Sequence, residues 1–425
     1  MARLLTSAVG GQAVLSAASF AAGLILIRKA SNSQYGYFIL ASNGLLLLAS
    51  LQNAFLNPPV SNRLVRLERN DRSELVGSLY RVQREMLFYV VAISILVVLG
   101  LWMGRMLNGE TGPLALATLV AAVAVLHREY FRIVMFAYRH AVAVLRTDVV
   151  YAAMLVCGVL LATLTTAPAT AAVLALGLAA VVSGRLLTKT LTEYEPWNAK
   201  ASSRTLREIA PLAVWSATGA AVHWTFSQGY IYLVVGTLDV TAVAAIAATR
   251  LLMMPMNLIS SGVGSLMLPL ASGWLHQHGA AVVWRRLGVL ACGLATMTLA
   301  YFLVVWTLRD WIFAAVLKKH FAQQDELLLL WGAIVLLIVV RDQLVYLLAA
   351  QSRFRSLTLV TLGSAIISLT ASYFAMLRFG VSGALMGVLV GELINVVGIV
   401  AISIVKRTPP PLDVWEQDVA AKLVS

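Results

Sequence analysis

Apolar runs of about 20 residues or more, the length that crosses a bilayer as a helix, follow one another along the whole chain with short polar connections between them. Twelve are read, at 9–27, 35–57, 86–106, 113–135, 148–166, 170–188, 210–235, 241–268, 287–306, 327–349, 357–377 and 381–404. At a helical rise of about 1.5 Å per residue, each reaches across a hydrocarbon core of roughly 30 Å. The runs are rich in Leu, Ala, Val and Gly and lack the two-residue alternation of a membrane strand. Each must therefore satisfy its backbone groups internally, as a helix. The expected fold is an all-α polytopic membrane protein of about twelve transmembrane helices, with no soluble domain between them.

Composition agrees. Hydrophobic residues make up 60% of the chain and charged residues 12%, and the mean hydropathy is +0.85, which excludes a soluble globular chain. A net charge of +13 would point to nucleic acid in a soluble protein, but the positions of the 32 basic residues speak for topology instead. Residues 58–85 carry Arg63, Arg66, Arg69, Arg72, Arg81 and Arg84, whereas 167–169 carry no charge. The positive-inside bias thus puts both termini in the cytoplasm of a bacterial inner membrane, with lipids and not nucleic acid as surroundings. The first run lacks a small-residue cleavage site and is read as an uncleaved helix. Cys157 and Cys292 fall inside spans and are read as buried and inert. No Walker-type loop, His-Glu-x-x-His or Cys-x-x-Cys occurs, so no cofactor or metal is expected, and a carrier is expected rather than an enzyme.

The chain also repeats itself. His127-Arg128-Glu129-Tyr130 is answered by Val340-Arg341-Asp342-Gln343, with Arg341 following Arg128, and Arg353 following His140, by 213 residues. Pro58 and Pro269, closing the second and eighth runs, match at nearly the same offset. Six spans per half is an even number, so both halves enter the membrane in the same sense, about a pseudo-twofold axis along its normal. The expected organisation is a lobe over 1–188, a cytoplasmic linker over 189–209, a second lobe over 210–404 and a cytoplasmic tail over 405–425. Lobes that rock about a central cleft give alternating access.

Ionisable residues within spans should face a cavity or a partner. Arg250 lies about nine residues into its span, some 13 Å deep, with no carboxylate nearby in sequence, and is the first candidate for substrate binding. Arg341 with Asp342, and Arg128 with Glu129 and Arg132, admit two readings, as cavity-lining groups or as ion pairs bracing each lobe. Arg28 and Lys29 close the first span on the side that the charge bias disfavours, as interfacial anchors or as substrate contacts. Several arginines about one cavity imply an anion, since the guanidinium fork stays charged and binds phosphate oxygens in pairs. Glu392 and His223 are the candidates for H+ or Na+ coupling, beside Asp342 and Glu129 as coupling or ion-pair groups. Trp215, Trp224, Gln228, Tyr230 and Tyr232 line up along the seventh span, as a sugar-stacking surface or as an ordinary aromatic belt.

Ile27-Arg28-Lys29-Ala30 followed by Gln34-Tyr35-Gly36-Tyr37-Phe38 resembles the start of polysaccharide flippases in the MOP exporter superfamily. Thr249-Arg250-Leu251, with Pro255 and Leu268-Pro269-Leu270, is similar to the eighth helix of the lipid II flippases of that superfamily. The resemblance implies a two-lobe MOP/MATE-like fold, cavity roles for Arg250 and Arg28, and an undecaprenyl-diphosphate-linked oligosaccharide as cargo for surface polysaccharide, such as lipopolysaccharide O-antigen or exopolysaccharide. It also implies a polysaccharide polymerase as partner. The chain shows no sign of the two extra C-terminal helices of the lipid II branch. Rival readings are a multidrug or cation antiporter, against which the arginines speak, and a membrane-embedded polymerase. The longest outward connection, 307–326, offers the latter no paired carboxylates.

Overall fold

The computed structural model describes residues 2–64, 69–105, 107–194, 204–351 and 353–405. Residues 406–425 of the expected tail and 195–203 of the expected linker lie outside them. The described chain is helical, with no strand, and runs through twelve long helices. These are α1 Ala2–Lys29, α2 Asn32–Leu64, α3 Arg69–Met103, α4 Thr111–Ala137, α5 Ala141–Ala162 and α6 Pro168–Tyr194, then α7 Arg204–Thr237, α8 Val240–His278, α9 Ala280–Thr307, α10 Gln324–Ala350, α11 Phe354–Phe379 and α12 Val381–Val405. Eleven are long and apolar enough to cross a membrane, making this an integral, multi-pass membrane protein. The twelfth, α7, is as long but is diluted by His223, Trp224, Thr225, Ser227 and Gln228. Helices outrun the apolar sequence runs. The polar turns before residue 86 continue α3 beyond the hydrocarbon, with Arg81 and Glu85 3.5 Å apart across one turn.

The helices form two six-membered bundles with matching contacts. In the first, α1 packs on α5, α2 and α6 on α4, and α5 on α6. In the second, the same pairs recur six helices later: α7 on α11, α8 and α12 on α10, α11 on α12. The bundles meet through α2 against α7 and α8, and α1 against α8. The repeat extends to single bonds. His140 and Arg353 precede α5 and α11 with φ, ψ of −86°, 44° and −85°, 44°, and their amides donate 2.9 Å bonds to Met135 and Leu348, residues equally far behind.

In lipid there is little hydrophobic drive between helices, so close approach of small residues holds them. Gly383, Gly387 and Gly391 form one stripe of α12 at four-residue spacing, against Ala375, Ser372 and Ser368 of α11. A Cβ on Gly387 would run into the backbone nitrogen of Ser372, whose hydroxyl donates to the Ala384 carbonyl at 2.9 Å. Cys157 and Cys292 face outward instead of being buried. A membrane-facing surface is apolar, so a small thiol is no less at home there than in a core.

Gly387→Val should force α11 and α12 apart and lower stability by about 1–3 kcal/mol. Gly363→Ala, with nothing within 4 Å of its Cβ, should change it by less than about 0.5 kcal/mol or raise it slightly. Thermal unfolding of the purified protein in detergent separates the two.

Candidate functional site

Between the bundles lies a cavity of about 640 Å³, walled by α1, α2, α4, α5 and α6 on one side and by α7 and α8 on the other. It is shut at the end where α1 meets α2, termed the junction side. There Gly36 lies so close to the Val240 carbonyl that a Cβ would collide with it. The Tyr232 hydroxyl donates to the Leu40 carbonyl at 3.2 Å, and Lys319 Nζ donates to the Ala30 carbonyl at 3.1 Å. Lys319 is held by the connection between α9 and α10, whose π-helical turn Ile312–Leu317 buries Phe313 and Leu317. Towards the opposite end, the terminal side where α1 begins, the wall reaches Gln12 and Ser261, both exposed.

The wall contributed by α4 carries Arg128, Glu129 and Arg132. Arg128 donates to Glu129 Oε1 at 2.6 Å, to Asp148 Oδ1 at 2.5 Å and to Ser183 Oγ at 3.2 Å. Arg132 donates twice to Asp148 Oδ2 at 3.2 Å and stands 3.7 Å from Glu129. Asp148, near the start of α5, is fully buried, and glycine at position 11 lets α1 approach its carboxylate. Two guanidinium groups face two carboxylates, so this wall is polar but neutral. The Arg128 guanidinium also covers the Tyr151 ring at 4.1 Å.

Arg250 stands on the opposite wall, on α8. Its Nη1 donates to Gln228 Oε1 of α7 at 2.7 Å, and its guanidinium carbon sits 5.2 Å from the Trp331 ring centre. Tyr35 and Tyr230 lie within its electrostatic reach. No carboxylate pairs with it among the described residues, and it is the one positive charge of the cavity left uncompensated. Ser42 Oγ and Asn53 Oδ1 also line the cavity, buried and without a hydrogen-bond partner in the protein. Such groups are rare in native interiors and suit a hydroxyl-bearing ligand.

The remaining candidates lie elsewhere. Arg341 is buried inside the second bundle, bonded to both oxygens of Glu392 at 2.8 and 2.6 Å and to Asp342 at 2.8 Å. With His223, Asp342 and Asn395 it lines a separate pocket of about 250 Å³ rather than the central cleft, because Glu392 on α12 holds it within its own bundle. Arg28 and Lys29 are exposed at the end of α1, outside the cavity wall. The face of α1 that meets the cavity runs through Leu15, Ser19, Ala22 and Gly23. It continues into buried Leu26 and Ile27, so the next residues turn away. Trp224 packs on Tyr232 at 5.7 Å and does not line the cavity. Asp148 escapes sequence reading because it opens its apolar run and looks interfacial. Arg128 and Arg132 with one acid between them on α4 were the signal that a second acid had to exist.

No family model matches the sequence, and no curated protein matches it. Solved structures do match the fold. A multidrug resistance MATE family transporter of the MOP superfamily, in its inward-facing conformation, superposes with a TM-score of 0.73 at 13% identity, over 93% of this chain and 96% of that one. Lipid II flippase MurJ, in an inward closed conformation, gives 0.72 at 9% identity, over 92% of this chain and 86% of that one. The outward-facing conformation of a MATE family transporter gives 0.68 at 12% identity, over 96% and 94%. The chain therefore has the fold of MATE and MurJ transporters.

Asp148→Asn should leave two buried guanidinium groups with one carboxylate and cost about 3–5 kcal/mol. Adding Arg132→Gln should recover part of the loss. Unfolding midpoints of wild type, single and double variants in detergent measure the coupling.

Proposed function

We propose that this chain is a flippase that carries a diphosphate-linked oligosaccharide on a polyprenyl lipid across the membrane by alternating access, for surface polysaccharide synthesis. The observation that carries the reading is Arg250, an unpaired guanidinium in a largely apolar cleft between two bundles. A guanidinium so placed costs roughly 2.5–3.5 kcal/mol on insertion scales, and an anionic cargo recovers that cost through charge-assisted hydrogen bonds. The diphosphate sits against Arg250, sugar hydroxyls meet Ser42, Asn53 and Gln228, and the polyprenyl tail stays in lipid. The volume of the cleft falls in the range that encloses small ligands, enough for the diphosphate and the first sugars. The pocket of His223 and Asp342 is where H+ or Na+ would couple, and a polymerase would consume the flipped product.

A multidrug or cation antiporter is the second reading, favoured by the MATE likeness. It meets an obstacle in Arg250, which repels an organic cation.

In a flippase-deficient strain rescued by this chain, Arg250→Ala should reduce surface polysaccharide about tenfold or more, with Arg250→Lys retaining part of the activity. Lipid-linked oligosaccharide should build up on the cytoplasmic side. Full rescue by a normally inserted Arg250→Ala would remove the assignment, and export of a cationic dye that survives it would favour the antiporter. Gly36→Val should block junction-side closure. An impermeant maleimide should then label a cysteine at Ser42 from the junction side, which it does not reach in the parent.

A further inference from the structure

A cavity of about 460 Å³ lies on the outer face of the first bundle, between α3 and α4, and has no part in the central cleft. α4 divides the two: Val125 and Arg128 face the cleft, Val123 and His127 the groove. We propose that the groove binds one chain of an anionic phospholipid from the terminal-side leaflet, with its phosphate at Arg84 and His127.

One face of α3 lines it at three- and four-residue spacing from Tyr80 to Ile95, a length of about 22 Å at helical rise. The lining is graded. Arg84 and His127 lie at one end, and from Leu87 to Ile95 it is wholly apolar. Arg84 stands just before the apolar run that starts at 86, beside Gln83, which bonds Leu126 of α4. Its neighbour Arg81 pairs with Glu85, whereas among the described residues no carboxylate pairs with Arg84. Arg185 lies within electrostatic reach of His127, adding positive charge. An uncompensated cation above an apolar channel complements a phosphate above an acyl chain. None of the apolar window of α3 is buried in the protein, and Phe88 and Leu96 are each 70% exposed, so lipid is what this helix meets. Inside the groove, Gln83 donates to Gln52 at 2.8 Å and to the Leu126 carbonyl at 3.0 Å. A lipid seated there clamps α3 onto a polar bridge that already joins it to α2 and α4.

The test is thermal unfolding of the full chain in detergent with added phosphatidylglycerol, phosphatidylcholine or undecaprenyl phosphate. Phosphatidylglycerol should raise the midpoint by several degrees, and phosphatidylcholine by less than half as much. Arg84→Gln should erase the difference between them. Ala92→Trp, which fills the groove, should erase both shifts, with lipid-free midpoints within about 2 °C of the parent. If the tryptophan lowers the lipid-free midpoint, mass-spectrometric counts of bound phosphatidylglycerol on Ala92→Leu replace it, and one lipid fewer supports the site. An undiminished phosphatidylglycerol shift in Ala92→Trp, an unchanged lipid count in Ala92→Leu, or a response to undecaprenyl phosphate alone overturns it.

Discussion

A guanidinium within a bilayer needs an answering charge, and the interior of this protein is arranged around that constraint. Arg128 and Arg132 share Asp148 and Glu129, and Arg341 holds Glu392 and Asp342. Each set ties neighbouring helices of one bundle together, α4 to α5 in the first and α10 to α12 in the second. Because such pairs are hard to separate once desolvated, they brace the helices of each bundle. The interface between the bundles is made by α2 against α7 and α8 and by α1 against α8. Arg250 lies at that interface and is the exception to the rule: among the described residues it bonds the neutral amide of Gln228, with the Tyr230 hydroxyl nearby, and no carboxylate.

The two bundles show how a duplicated framework diverges into different tasks. The Arg–acid step on α4 recurs on α10, and the turns that follow keep the same dihedrals and the same amide bonds. The acid on the neighbouring helix has moved. In the first bundle it comes from α5, and the cluster borders the central cleft. In the second it comes from α12, and the cluster draws inward onto a pocket of its own. The framework is kept, while relocating one carboxylate decides whether the ion-paired cluster borders the central cleft or stays inside its bundle.

How much was legible in the sequence follows from what each signal depends on. Hydropathy gave twelve runs, all of them long helices and eleven of them apolar enough to span, because lipid imposes a length on each, and the repeat at 213 residues exposed the halves because paired charges are rare enough to stand out. Depth along a helix placed Arg250 correctly. Depth alone said nothing of angle, so Arg28, one residue beyond Ile27, was expected at the cleft and lies outside it, and Trp224 likewise misses it. Asp148 was hidden because its partners come from another helix. Ser42, Asn53 and Tyr35 were invisible, since polar residues scattered in apolar runs mark a cavity only once the helices are assembled.

The polar part of the junction-side seal is small. Among the described residues its polar contacts are two side-chain to backbone hydrogen bonds, from Tyr232 and from Lys319; around them lie the close fit of Gly36 under Val240 and the apolar core that joins Ala30, Tyr35 and Phe38 with Val243, Phe313 and Leu317. No ion pair crosses it. A hydrogen bond contributes about 0.5–1.5 kcal/mol net, and one from a charged group about 1.5–3 kcal/mol, so the two bonds together contribute about 2–4.5 kcal/mol, beside the apolar packing around them. A phosphate reaching Arg250 gains interactions of the same size. A ligand can shift such an equilibrium only by its differential affinity for the two states, and that gain is large enough if Arg250 meets its anion more fully once the bundles have rocked. Under the flippase reading proposed above, the unpaired arginine and the junction-side seal would work together: a stronger seal would trap the cargo, and a carboxylate beside Arg250 would leave nothing for the cargo to change.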